Sequence, residues 1–210
     1  MSDGSSFDFN EFLKESKDVL VNPDYFTTMK TTGGMTEPLI KAVIYGAVAG
    51  VFSFVWSLLN LGSTSLGIFG GAVGVMLFVW AIIGAVIGLF IGGVVVLVLS
   101  SICKGNTDFE ANVRVTAAIM VVMPISAFLG FASGLNLYLG VIVGLAVNIF
   151  TLWLLYKGLV QALKAKPETA RVVMYVLIGI FVLFMLIGLG TKRKMMELKN
   201  TFENIELPQN

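Results

Sequence analysis

Residues 42–103 read AVIYGAVAGVFSFVWSLLNLGSTSLGIFGGAVGVMLFVWAIIGAVIGLFIGGVVVLVLSSIC, 62 consecutive positions without an Asp, Glu, Lys or Arg. The hydrocarbon core of a bilayer takes about 20 apolar residues per helical crossing, and a charge at its centre costs about 2.5–3.5 kcal/mol. A stretch of this length is therefore membrane-embedded and holds more than one crossing. Working outward, two more uncharged runs follow, 42 residues at 115–156 and 20 residues at 172–191. All 14 basic and 13 acidic residues fall into the windows 3–41, 104–114, 157–171 and 192–206. The runs are continuous rather than alternating in polarity, so the spanning elements are helices and not barrel strands. The expected fold is an all-α integral membrane protein with five transmembrane helices and an N-terminal cytoplasmic amphipathic helical arm. Its parts are the arm (1–38), the five-helix domain (39–191) and a polar C-terminal tail (192–210).

The count of five comes from the run lengths. The 42-residue run holds two crossings with a break at Ser133, Gly134 and Asn136, and the 20-residue run holds one. Three crossings would leave almost no turn residues in the 62-residue run, so two fit better, with a break at Asn60, Gly62, Ser63, Thr64 and Ser65. That leaves residues 66–102 as about 55 Å of helix against a core of about 30 Å. Residues 66–74 are then expected to lie along the interface or to re-enter, with the true span near 75–99. Five crossings put ten Lys and Arg on one side and four on the other, and six crossings put eight against six. The positive-inside tendency favours five, with the N-terminus cytoplasmic.

Composition narrows the function classes. At 57% hydrophobic and 13% charged, with a mean hydropathy of +0.90, the chain lies outside the range of soluble domains. A formal net charge of +1 points to no nucleic-acid partner. There is no histidine and one cysteine, Cys103, which removes Ser-His and Cys-His pairs, His-containing zinc sites and an intramolecular disulfide. No cofactor, metal site or catalytic residue is expected, and the chain reads as a non-enzyme. Lys41 is the deepest ionisable residue and can snorkel to the interface. Asn148 is either a group lining a permeation path or, more commonly, a cross-helix hydrogen bonder. Cys103 is juxtamembrane, a weak signal for acylation.

The arm carries no signal-peptide pattern and is expected to be retained. Phe12, Leu13, Val19 and Leu20 share one side of a helix over residues 9–21. Asn22, Pro23 and Asp24 then form a helix start that leads into Tyr25, Phe26 and Met29. Gly33 and Gly34 end that helix, Pro38 opens the first crossing, and Pro124 should kink the third. Small residues four apart, including Gly84, Gly88 and Gly92, suit close helix packing, inside one bundle or along a homo-oligomer seam. The candidate interaction surface comprises Tyr25, Phe26, Lys104, Phe109, Arg114, Lys164, Lys166 and Arg171. Besides the lipid bilayer, the partners expected there are anionic lipid headgroups or a protein. The rival reading is a channel or transporter for a small neutral or hydrophobic solute.

Three segments in order carry a resemblance: NPDYFTTMKTTGGMTEPLIKAVIYG (22–46), KGNTDFEANVRVTAAIMVVMP (104–124) and YKGLVQALKAKPETARVVMYVL (156–177). Together they resemble the Ypt-interacting-protein (Yip) family of multispanning membrane proteins, in its prokaryotic branch. The resemblance implies five crossings with a cytoplasmic N-terminus, in a prokaryotic cytoplasmic membrane. The chain lacks the Asp-Leu-Tyr-Gly-Pro signature of the Rab-associated eukaryotic relatives, so Rab binding is not implied. It also has Lys104 and Gly105 where a glycine pair is common, and Gln161 near where a histidine often stands.

Overall fold

The computed structural model describes residues 7–59, 61 and 70–205. Two short helices, α1 (Phe9–Val21) and α2 (Tyr25–Thr28), precede α3 (Thr36–Leu58) and α4 (Gly70–Ile102). There follow α5 (Phe109–Ile119), α6 (Val122–Phe128), α7 (Ala132–Leu135), α8 (Leu137–Lys157) and α9 (Pro167–Ile205). Five segments are long and apolar enough to cross a membrane: Thr36–Leu58, Phe78–Ile102, Phe109–Leu135, Tyr138–Ala162 and Pro167–Met185. The all-helical, five-crossing architecture read from the charge gaps is thus the one observed. The chain divides into two compact units between Arg171 and Val172.

Several boundaries moved for local reasons. In the arm, Asn22 closes α1, its N–H bonding the Asp18 carbonyl at 2.8 Å, while its side chain accepts from the Asp24 N–H at 3.0 Å. The second helix therefore starts at Tyr25, past Pro23, and ends at Thr28, well before the positive-φ residues Gly33 (126°) and Gly34 (91°). On α1, Phe12 and Val19 are buried as expected, but Leu13 is exposed. In α4, residues 70–74 are helical and continuous with the crossing, which corrects the interfacial or re-entrant reading there. Residues 66–69 lie outside the described residues, as do Asn60 and the turn residues 62–65. The helix of the fifth crossing does not stop at residue 191 but runs on to Ile205.

The third crossing is segmented, as Pro124 requires. Proline has no N–H for the Met120 carbonyl, and α5 ends at Ile119, just before that residue. The freed carbonyl accepts from the Met123 N–H at 2.9 Å as α6 begins. A short 3₁₀ turn over Leu129–Phe131 tightens the chain further. The Trp56 indole N–H donates to the Ala127 and Phe128 carbonyls at 3.0 and 3.1 Å, tying this irregular stretch to α3. Asn136 then caps α8 by accepting from the Tyr138 and Leu139 N–H groups, at the break expected between the third and fourth crossings.

The glycine repeats separate into two groups. Gly46 and Gly50 of α3 sit directly on α4, where an added Cβ would lie 2.7 Å from the Ala85 Cβ and 2.8 Å from the Phe78 ring. Gly92 meets Thr116 of α5 at 2.7 Å in the same sense. Gly84 and Gly88 have open space instead, with nothing within 4 Å of an added Cβ among the described residues. The single stripe expected through Gly84, Gly88 and Gly92 is therefore not one surface.

Candidate functional site

The arm and the N-terminal ends of α3 and α5 are drawn together by a network of charged side chains. Its centre is Glu37, whose two carboxylate oxygens are shared. One faces Lys41 Nζ at 2.6 Å and the other faces Arg114 Nη1 at 3.0 Å. Lys41 also meets the Glu15 carboxylate of α1 at 2.6 Å. Arg114 donates from Nε to Glu110 at 3.2 Å and from Nη2 to the Gly34 carbonyl at 2.9 Å. Glu110 in turn accepts from the Gly34 N–H at 2.6 Å.

Arg114 is 5% exposed and Lys41 is 8% exposed. Such charges are tolerable only because opposite charges and carbonyls surround them. The Lys41 ammonium is held by Glu15 and Glu37. Gly33 makes room for the guanidinium, since a Cβ there would lie 2.9 Å from Arg114 Nη2 on a backbone already at positive φ. Helical geometry anticipates part of this network, because Glu37/Lys41 and Glu110/Arg114 are each four residues apart. The reach of Glu15 to Lys41 and of Arg114 to Glu37 had no sequence signal.

Alongside the network runs a cleft of about 530 Å³, lined by Phe12 and Glu15 of α1, Glu37 and Lys41 of α3, and Arg114. The Ser16 and Tyr45 hydroxyls share a 2.8 Å hydrogen bond, and the Phe12 and Tyr45 rings meet at 5.3 Å. Burial, followed by the nearby Glu15 carboxylate, pushes the Tyr25 phenol well above its ordinary range.

Of the surface residues expected from sequence, Tyr25, Phe26 and Arg114 are buried and do not form an accessible face. Phe26 lies beside Gly158, where the fourth crossing ends in a π turn over Gly158–Ala162. A Cβ on Gly158 would come within 3.5 Å of the Phe26 ring and 2.6 Å of Val115. An aromatic of the arm is therefore part of the core, because the glycine leaves a slot for it. Lys104, Phe109, Lys164, Lys166 and Arg171 are exposed, as expected.

The loops carrying three of these lysines are stitched together. The Asn106 N–H donates to the Leu163 carbonyl at 2.7 Å, and the Lys166 N–H donates to the Cys103 carbonyl at 2.9 Å. Gly105 sits in the seam, where a Cβ would lie 2.6 Å from Ser100 Oγ and 2.9 Å from the Leu163 carbonyl. Lys104 and Lys164 both hold left-handed backbone, φ 57° and 56°, which costs roughly 1–2 kcal/mol for a residue with a Cβ. Asn112, fully buried, braces the first loop by donating to the Asn106 and Asp108 carbonyls at 3.1 and 2.6 Å. Cys103 is buried beneath it, and burial pushes its thiol up. That removes the acylation reading, since the sulfur is inaccessible.

Asn148 bonds within its own helix rather than across to another. It is exposed, and its amide donates to the Gly144 carbonyl of its own helix at 2.8 Å. Among the described residues, no group of three or more His, Cys, Asp or Glu could hold a metal ion.

These features define a polytopic α-helical membrane protein whose amphipathic arm is pinned to the bundle by internal ion pairs. The family model for the Yip1 domain matches residues 17–189, and the chain belongs to that family. No curated protein sequence and no solved structure matches it.

Proposed function

We propose that this protein is a non-enzymatic interaction or membrane-organising protein. In this reading its arm and stitched loops face the cytoplasm of a prokaryotic cell. The observation that carries the reading is the contrast between two sets of charges. Glu37, Lys41, Glu110 and Arg114, at the heads of the first and third crossings, neutralise one another and hold the fold. Lys104, Lys164 and Lys166 stand exposed on a rigid loop pair and form no ion pair among the described residues. Charges spent internally support architecture, and charges left outward on a braced backbone support contact with something else. Asn148, exposed and bonded within its own helix, lends no support to the transport reading.

Photo-crosslinking in the native membrane tests this, with probes at the exposed positions Leu13, Phe109 and Glu168. One protein captured reproducibly from these positions is the expected result. Self-crosslinks alone, together with solute flux in liposomes, would overturn it. Reporters at the two ends of the chain should lie on opposite sides of the membrane, with the N-terminal one cytoplasmic.

A further inference from the structure

The stitched loops hold three lysines where four crossings leave the membrane. The second crossing ends at Ile102 and the third begins at Phe109; the fourth ends at Ala162 and the fifth begins at Pro167. Lys104, Lys164 and Lys166 are thus each within two residues of a crossing's end, about 3 Å of helical rise. The length of a lysine side chain exceeds that distance, so all three ammonium groups reach headgroup level.

Their backbones are neighbours. Lys166 donates its N–H to the carbonyl of the peptide preceding Lys104, and Lys164 follows Leu163, whose carbonyl is bonded by Asn106. Left-handed backbone at both Lys104 and Lys164 turns the two chains tightly at the seam. The acids in reach do not cancel the patch. Asp108 is engaged in capping α5 through the Ala111 N–H, and Glu110 is paired with Arg114. Asp108 and Glu168 are exposed, and against these two stand Lys104, Lys164, Lys166 and, one turn further along α9, Arg171. Phe109, 37% exposed, adds an aromatic edge beside them, and the Lys157 ammonium lies over the Trp153 ring at 5.7 Å in the last part of the fourth crossing.

We propose that Lys104, Lys164 and Lys166 form one binding site for an anionic phospholipid headgroup, assembled from two loops and held by the Asn106–Leu163 and Lys166–Cys103 bonds. This deepens the interaction reading by naming a lipid as one thing the loop face binds. A negatively charged phosphate is complementary to three ammonium groups carried on neighbouring backbones. Each basic residue near an anionic surface is worth about fivefold in association.

The test reconstitutes the full chain in phosphatidylcholine vesicles containing a minor fraction of photoactivatable phosphatidylglycerol and maps the labelled peptides. Labelling should concentrate on residues 103–109 and 163–167. It should fall about fivefold for each of Lys104→Gln, Lys164→Gln and Lys166→Gln. It should persist when all three become Arg, and when Lys14, Lys17 and Lys30 of the arm become Gln. Equal loss in the arm variant would overturn the proposal in favour of diffuse attraction. Undiminished labelling of the Gln variants, or loss in the Arg variant, would overturn it as well. Protein capture from Leu13, Phe109 and Glu168 is read separately, so a failed lipid site and a failed interaction reading give different results.

Discussion

The Arg114 guanidinium donates to the Glu37 carboxylate at 3.0 Å, joining the third crossing to the first across 77 positions of the chain. Glu37 holds Lys41 with its other oxygen, and Lys41 holds the arm through Glu15. A single carboxylate therefore couples the arm to two membrane helices, and its partners are more buried than it is.

Removing one member of this pair leaves the other charge buried. Glu37→Gln weakens the contacts to both Arg114 and Lys41, which keep Glu110 and Glu15, so it should destabilise the protein by about 1.5–3 kcal/mol, the range for hydrogen bonds to charged groups. Glu37→Gln with Arg114→Gln should cost less than the sum of the two single changes. Thermal unfolding of the purified protein in detergent, followed by circular dichroism, reads both.

The arm can be loosened without touching the crossings. Glu15→Gln with Ser16→Ala removes the ion pair to Lys41 and the hydroxyl bond to Tyr45. At about 1 kcal/mol for each net interaction, amide exchange across residues 9–21 should accelerate about tenfold or more. Exchange in α5 should stay unchanged, because Arg114 keeps Glu37, Glu110 and Gly34.

Two glycines in adjacent helices should respond oppositely to the same methyl group. Gly46→Ala drives a Cβ to 2.7 Å from the Ala85 Cβ and 3.0 Å from the Ala81 carbonyl, which should cost about 1–3 kcal/mol. Gly84→Ala meets open space and should stay within about 0.5 kcal/mol. Thermal midpoints separate the two. Loss of a self-association signal in Gly84→Ala, with the midpoint retained, would assign that face to a homo-oligomer.

Cys103 should resist a maleimide reagent in the folded protein. It is fully buried, and its raised thiol pKa leaves little of the reactive thiolate at neutral pH. Intact mass after labelling should show no adduct until a denaturant opens the Gly105 seam, after which modification should be complete.

The five crossings were legible because charge exclusion from lipid is a one-dimensional constraint. Continuous runs free of Asp, Glu, Lys and Arg mark depth in the membrane without any knowledge of contacts. The Pro124 break and the Asn136 cap were legible for a similar reason, since a missing N–H and a side-chain acceptor act within a turn. The α1 bounds followed from local periodicity. The candidate surface was half legible. Lys104, Lys164 and Lys166 are exposed because nothing opposes them, whereas Tyr25, Phe26 and Arg114 looked equally available and are buried.

What the sequence by itself determined was the number of membrane helices, because desolvation acts on each residue separately. The tertiary structure alone decided which charges cancel and which remain. It brought Glu15 to Lys41, Glu37 to Arg114 and Leu163 to Asn106, and it opened the slot at Gly158 that takes Phe26 out of the surface. Pairing depends on side chains separated by tens of residues reaching within about 3 Å of one another, and no local pattern encodes that distance.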